Sequence, residues 1–352
     1  MSTPLIPATI LTGFLGSGKT TLLKRVLSEA HGSRIAVIEN EFGEENIDND
    51  ILVQERGEQI VQMSNGCICC TIRDDLRATL ADLAGRRRSG ELMFDRVIIE
   101  TTGVADPGPV AQTFFMDDEV ASQYLLDSVI TLVDAVHAPQ QLDTRLEAQR
   151  QVGFADRIFI SKSELADAAA LAALRQRLTR MNPRAAQRVV HFGEVPLADV
   201  LDLRGFNLNA RLDIDPDFLK DEEHDHDHGH DHDCGHDHAP GEACNHPHHH
   251  HHDDDVKSFV FRSERAFDPA RLEDFLGAIV QVYGPRMLRY KGVLNMHGFE
   301  RKVVFQGVHQ LMGSDLAGAW GPQETRQSKL VFIGIDLPRD IIEQGLVKSL
   351  VG

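Results

Sequence analysis

The 352-residue sequence predicts an α/β fold followed, across a linker, by a smaller α+β domain. Short apolar runs alternate with helical stretches up to about residue 205, the pattern of a mostly parallel sheet covered on both faces. Between the first run and the first helical stretch lies Gly13-Phe14-Leu15-Gly16-Ser17-Gly18-Lys19-Thr20, a G-x-x-x-x-G-K-T sequence. Residues 221–255 then carry twelve Asp and Glu, thirteen of the 18 His, no Lys or Arg and no apolar periodicity. Such a composition cannot bury enough apolar surface to fold, so a disordered linker is expected there. The expected divisions are 1–205, 206–256 and 257–352.

Bulk properties narrow the classes. With 42% hydrophobic residues the chain can bury a full core and exceeds one typical domain. Of the net charge of −18, the linker holds −12, which leaves −6 for the rest; no clustered basic face is present, and nucleic acid is not expected as a partner. The apolar runs are strand-length, short of the roughly 20 residues of a membrane span, and the N-terminus has no charged region followed by a hydrophobic core. No membrane association and a cytoplasmic location are therefore expected. Five cysteines, three of them crowded at 67, 69 and 70, suit metal or redox chemistry in a reducing compartment better than a secreted disulfide framework.

In chain order, residues 8–12 read as a strand and 21–27 as the start of a helix, which is the setting a phosphate-binding loop requires. Gly13, Gly16, Ser17 and Gly18 let backbone N–H groups turn toward phosphates, Lys19 reaches the β and γ phosphates, Thr20 can coordinate Mg²⁺, and Thr21 follows at the helix start. A strand at 35–38 leads into Glu39-Asn40-Glu41-Phe42-Gly43-Glu44-Glu45, whose carboxylates can bind metal, position water or simply face solvent. In Asn65-Gly66-Cys67-Ile68-Cys69-Cys70, three sulfurs can converge on one soft ion such as Zn²⁺ if the loop turns at Gly66. A redox pair of Cys67 with Cys70, or a buried thiol cluster, are the competing readings.

A helix is expected at 74–88, then a strand at 97–99 that delivers Glu100-Thr101-Thr102-Gly103. There Glu100 can hold Mg²⁺ through water and the Gly103 amide can sense the γ phosphate. Strands follow at 129–133 and 158–160. The second runs into Ser161-Lys162-Ser163-Glu164, where guanine-reading loops carry Asn/Thr-Lys-x-Asp. Lys162 fits; Ser161 and the longer Glu164 depart from the pattern, so GTP is favoured over ATP with an altered pocket. A helix at 166–181 ends at Asn182-Pro183.

In the linker, His224, His226, His228, His230, His232, His236 and His238 alternate mainly with Asp, alongside Cys234, Cys244, His246 and the run 248–252. Neutral imidazoles on a tether give several weak, exchangeable sites for Zn²⁺, Co²⁺, Ni²⁺ or Cu²⁺, while the five-His run also resembles an affinity tag. Beyond it, strands are expected at 258–261, 289–296, 302–308 and 330–335 and helices at 269–283 and 338–350. His31, His137, His191, His297 and His309 are singletons of ordinary context. Arg289-Tyr290-Lys291-Gly292 and Trp320 suit either a partner surface or strand packing and a core anchor.

The phosphate loop, Glu39-Asn40-Glu41-Phe42-Gly43-Glu44, the Cys-x-Cys-Cys element at 67–70 and Glu100-Thr101-Thr102-Gly103 together closely resemble the CobW-like metallochaperone GTPases, relatives of the nickel-insertion GTPases of urease and hydrogenase. Leu288-Arg289-Tyr290-Lys291-Gly292 and Val304-Phe305-Gln306-Gly307-Val308 look like their C-terminal domain, and a His-rich linker is common between the two. The resemblance implies a P-loop NTPase domain and a slow GTPase that carries zinc, or in some branches cobalt or nickel, to client metalloproteins. On this reading Lys19, Thr20 and Glu100 carry hydrolysis, with Gly13, Gly16, Ser17, Gly18, Thr21, Gly103, Lys162 and Glu164 holding GTP. Cys67, Cys69 and Cys70, helped by Glu39 or Glu44, hold the transported ion, and Thr20 holds Mg²⁺. A nucleotide- or metal-dependent homo-oligomer belongs to the same expectation. The rival readings are a metal buffer based on the His-rich segment and a kinase acting on a small molecule.

Overall fold

The computed structural model describes residues 4–29, 32–39, 59–62, 71–203, 205, 254–322 and 324–352, which form two sheets. The first is built from β1 (Ile6–Gly13), α1 (Lys19–Ser28), β2 (Ile35–Glu39), β3 (Gln59–Gln62), α2 (Thr71–Arg88), β4 (Arg96–Glu100), α3 (Pro107–Met116), α4 (Asp118–Ala121), β5 (Tyr124–Asp134), α5 (Ala138–Thr144), α6 (Leu146–Phe154), β6 (Arg157–Ser161), α7 (Ala168–Met181) and β7 (Ala186–Val189). Its strand order is β3-β2-β4-β1-β5-β6-β7, and every pairing is parallel.

Strand sequences are apolar at successive positions because both faces are covered. Ile10, Ala36, Ile38, Val97 and Ile99 pack on the side of α2, α3, α6 and α7, whereas Leu11, Val37 and Ile98 pack on the side of α1 against Leu22, Leu23 and Val26. Since successive side chains of a strand point to opposite faces, an uninterrupted apolar run is what a central parallel strand requires.

The second sheet comprises β8 (Val256–Ser263), β9 (Met287–Leu294), β10 (Arg301–Val308), β11 (Leu311–Ala319) and β12 (Ser328–Ile335), antiparallel throughout in the order β11-β10-β9-β12-β8. Helices α8 (Pro269–Tyr283) and α9 (Arg339–Lys348) cover one face through Leu272, Leu276, Ile279, Ile342 and Leu346, which meet Phe259, Phe261, Tyr290, Phe305 and Phe332. Asp268 starts α8 by accepting from Arg271 N, with Pro269 in the first turn where its missing N–H is harmless.

Part of the other face, Val256, Leu288, Val308, Val331 and Ile333, belongs to the same core as α3, α6 and α7. Arg289, fully buried, donates to Asp156 from Nη1 at 3.0 Å and Nη2 at 2.5 Å, and to the carbonyl of Phe154 at 3.1 Å. Burial pulls the Arg289 guanidinium below its usual range and Asp156 opposes that pull. Tyr290 is buried, with its hydroxyl donating to the carbonyls of His309 and Leu311, and Trp320 packs with Val293, Val304 and Ala317 beneath the ammonium of Lys302. Strand packing and a core anchor thus describe Arg289, Tyr290 and Trp320 better than a partner surface. Among the described residues no helix is long and apolar enough to cross a membrane.

Candidate functional site

The glycine-rich loop joins the carboxyl end of β1 to α1. Gly13 takes φ 144°, and a Cβ there would lie 2.4 Å from the carbonyl oxygen of Leu132, so no other residue fits. Gly18 caps α1 in the left-handed region at φ 98°, which presents the amides of the first helical turn to the loop. Lys19 Nζ donates to the carbonyl of Gly13 at 2.9 Å and of Phe14 at 3.4 Å, so its charge is held across the loop instead of pointing to solvent.

Two carboxylates gather beside it. Glu39 ends β2 and Glu100 ends β4; the two are partners in the parallel ladder, so their side chains leave the same face of the sheet, and both are buried. Thr20 Oγ1 donates to Glu100 Oε1 at 3.0 Å. A hydroxyl on the first turn of α1 and a carboxylate at the next strand end are hard oxygen donors, the set that Mg²⁺ takes together with phosphate oxygens. These residues fit that ion.

The turn after β4 is pressed against the loop. A Cβ on Gly103 would lie 2.6 Å from the backbone nitrogen of Leu15, so only glycine lets the turn approach this closely. Thr101 Oγ1 donates to Thr12 Oγ1 at 2.9 Å, and Gln151 Nε2, from buried α6, donates to the carbonyls of Gly103 at 3.2 Å and Ala105 at 3.0 Å. Asp106 caps α3 through Gly108 N and accepts from Arg150 Nη1 at 2.8 Å. Helix α6 therefore grips the turn from Gly103 to Asp106 by two neighbouring side chains.

On the other side of the loop, Ser161 Oγ donates to the carbonyl of Ser17 at 2.7 Å, which ties the end of β6 to the phosphate loop. Lys162 has φ 54°, and its Nζ donates to Asp134 Oδ2 at 2.7 Å; His137 Nδ1 lies 3.0 Å from the same oxygen. Burial pushes the Asp134 carboxyl up, but the hydrogen bonds from Lys162, the His137 ring and the amides of His137 and Val136 outweigh it and hold the group below the usual carboxylate range. Glu164 is exposed and its Oε2 lies 3.2 Å from His191 Nδ1.

The structure brings together Gly13, Gly16, Ser17, Gly18, Lys19, Thr20, Glu39, Glu100 and Gly103, with Lys162 and Glu164 at the neighbouring strand end, while Thr21 faces solvent on α1. Glu44, Cys67, Cys69, Cys70 and the linker histidines lie outside the described residues. The chain leaves β3 at Gln62 and enters α2 at Thr71, and β3 is the neighbour of β2. Among the described residues no group of three or more His, Cys, Asp or Glu could hold a metal ion. Sequence reasoning passed over Asp134, Asp106, Arg150 and Gln151. Only Asp134 carries a signal, since it closes the apolar run of β5 as Glu100 closes that of β4.

A parallel sheet with this loop after β1, a hydroxyl–carboxylate pair at the next strand end and a Ser-Lys-x-Glu loop at β6 defines a P-loop nucleotide hydrolase. Residues 7–188 match the CobW/HypB/UreG nucleotide-binding domain, and residues 256–350 match the cobalamin synthesis protein cobW C-terminal domain. The chain belongs to the CobW/HypB/UreG family and is a GTPase. It is 39% identical over 340 residues to the zinc chaperone YjiA of Escherichia coli, covering 96% of each chain. It is 34% identical over 377 residues to the zinc chaperone CobW of Pseudomonas aeruginosa, covering 98% of this chain and 92% of that one. The crystal structure of Zn(II)-bound YjiA GTPase from E. coli superposes with a TM-score of 0.75 at 34% identity, covering 99% of this chain and 100% of the other.

Proposed function

We propose that this GTPase is a zinc chaperone: it holds Zn²⁺ on Cys67, Cys69 and Cys70 with help from Glu39, and hands the ion to client metalloproteins in the cytoplasm under control of the bound nucleotide. The observation that carries the reading is the pairing of Glu39 with Glu100 in the ladder, because Glu100 also accepts from Thr20. One buried carboxylate sits at the phosphate loop, and its partner opens the segment that leads toward the cysteines. The naming of two full-length relatives as zinc chaperones supports the choice of ion.

In this mechanism the loop amides and Lys19 bind the β and γ phosphates, and Lys162 with Glu164 takes the base. Mg²⁺, when bound, neutralises charge on the phosphate oxygens. Thr20 and Glu100 would hold it, while Gly103 reports whether a γ phosphate is present. Hydrolysis relaxes the turn from Gly103 to Asp106 and the strand end at Glu39, and this changes the grip on zinc. Coupling of this kind is reciprocal, so zinc must alter GTP affinity by the same factor by which GTP alters zinc affinity.

The test is a pair of titrations on one preparation, GTP analogue with and without zinc, and zinc with and without the analogue. Equal shifts in both directions are expected, and their loss in a Cys67→Ser, Cys69→Ser variant that still hydrolyses GTP. Identical GTP affinities in the presence and absence of zinc would sink the reading.

A further inference from the structure

The chain leaves β7 through a tight turn, His191-Phe192-Gly193-Glu194, at the carboxyl end of the first sheet. His191 and Glu194 form an antiparallel bridge, closed by the Glu194 amide donating to the His191 carbonyl at 2.8 Å. Between them Phe192 takes φ 47° and Gly193 φ 75°, so both central residues are left-handed, as in a type I′ turn. Glycine, asparagine and aspartate suit such positions, and a bulky ring at the first of them is an outlier. Packing does not offset it. Phe192 is 82% exposed, the most exposed large apolar side chain among the described residues. Backbone strain of this kind clusters at ligand sites.

Three contacts place the turn on the base side of the nucleotide site. His191 Nδ1 lies 3.2 Å from Glu164 Oε2. The Val190 amide donates to the carbonyl of Ile160 at 2.9 Å, so the turn starts beside the end of β6. Gly193 is pressed on the start of α1, where a Cβ would lie 3.0 Å from Leu22 Cα and 3.1 Å from the carbonyl oxygen of Thr21. One chain neighbour of Phe192 therefore touches the base loop, and the other touches the helix that follows the phosphate loop.

We propose that Phe192 is a nucleotide-binding residue whose ring stacks on the face of the purine base; this rests on the reading above that Lys162 and Glu164 take the base. Ser161, where guanine-reading loops carry Asn or Thr, gives its hydroxyl to the carbonyl of Ser17 and so holds the phosphate loop. Reading of the base edge is left to Glu164, and an aromatic face supplies affinity that does not depend on which purine is bound.

The test is made on the full chain with Phe192→Asn, which gives the turn a residue it favours and removes the ring. Thermal stability of the nucleotide-free protein should hold or rise. GDP and ADP should both bind about ten-fold more weakly by calorimetry, the order of one base–aromatic stack. For GTP the same loss should appear as a rise in KM rather than a fall in kcat. A purely structural role predicts the reverse, lower stability with affinity kept. Phe192→Trp should keep affinity, and the introduced indole should be quenched as GDP saturates, beyond any change in the unaltered protein, whose one indole is Trp320. Unchanged GDP affinity in Phe192→Asn, or an introduced indole blind to GDP, overturns the proposal. Glu164→Ala separates it from the reading on which it rests, and should weaken GDP more than ADP. If it does so while the Phe192 variants bind normally, only the role of the ring fails; if Glu164→Ala binds both nucleotides as before, the base lies elsewhere and both fall.

Discussion

Asp134 shows how one buried carboxylate organises the base side of the site. Its two oxygens take the Lys162 ammonium, the His137 ring and two backbone amides, so the charge is worth more inside the fold than its burial costs. The folded pKa lies below the ordinary 3.8, and the unfolded chain therefore binds the proton first. The stabilisation is complete above about pH 4 and is lost as pH falls through the folded value. Lys162→Met removes the strongest of these hydrogen bonds and leaves burial to push the carboxyl up. The acid-unfolding midpoint should then move to higher pH, while stability at pH 7 falls by only about 1 kcal/mol because Lys162 is partly exposed. Circular-dichroism melts between pH 3 and pH 7 on both proteins check this, and coincident midpoints would refute it.

At the scale of elements, the turn between β4 and α3 is the part with least room to vary. Gly103→Ala would bring a methyl group to within 2.6 Å of a backbone nitrogen in the phosphate loop, and backbone cannot swing aside as a side chain can. The turn or the loop must shift, at a cost of about 1–3 kcal/mol. GTP affinity should fall by roughly ten-fold or more, a change isothermal titration reads directly, with little change in helix content.

This turn was legible in the sequence because an apolar strand delivers Glu100-Thr101-Thr102-Gly103 at a fixed place, and the phosphate loop was legible for the same reason. The strands at 35–38, 97–99, 129–133 and 158–160 were readable because both their faces are buried. Strands β7 and β11 were not, since β7 alternates exposed and half-buried residues, β11 is exposed along most of its length, and both stand at sheet edges where no apolar run is required. Helix α3 hides behind Pro107-Gly108-Pro109, which reads as a turn, although proline suits a first helical turn. The grip of Gln151 and Arg150 on the turn left no trace, because polar residues within a helix carry no local pattern for a partner some 45 positions away.

For the whole molecule, α6 joins the turn beside the phosphate loop to the second sheet, which α3 and α7 also contact. Its middle holds the turn after Gly103 through Gln151 and Arg150, and its end meets the C-terminal sheet. There Phe154 packs on His309 with ring centroids 5.3 Å apart and gives its carbonyl to Arg289, and earlier in the helix Gln149 accepts from the amide of Val256. Arg289 and Asp156 then lock the seam, with side chains 2% and 7% exposed. A buried pair of this kind adds little net stability compared with apolar packing, but removing one partner strands the other's charge and costs about 3–5 kcal/mol. Asp156→Asn should therefore spend most of its effect on the seam. The unaltered protein, with one continuous core across both sheets, should unfold in a single transition that a GTP analogue shifts upward as a whole. In the variant two transitions are expected by calorimetry, and the analogue should raise only that of the nucleotide-binding part. If Asp156→Asn melts in one step that still responds to the analogue in full, the seam is not what joins the halves, and the coupling must run through α3 and the hairpin of β10 and β11 instead.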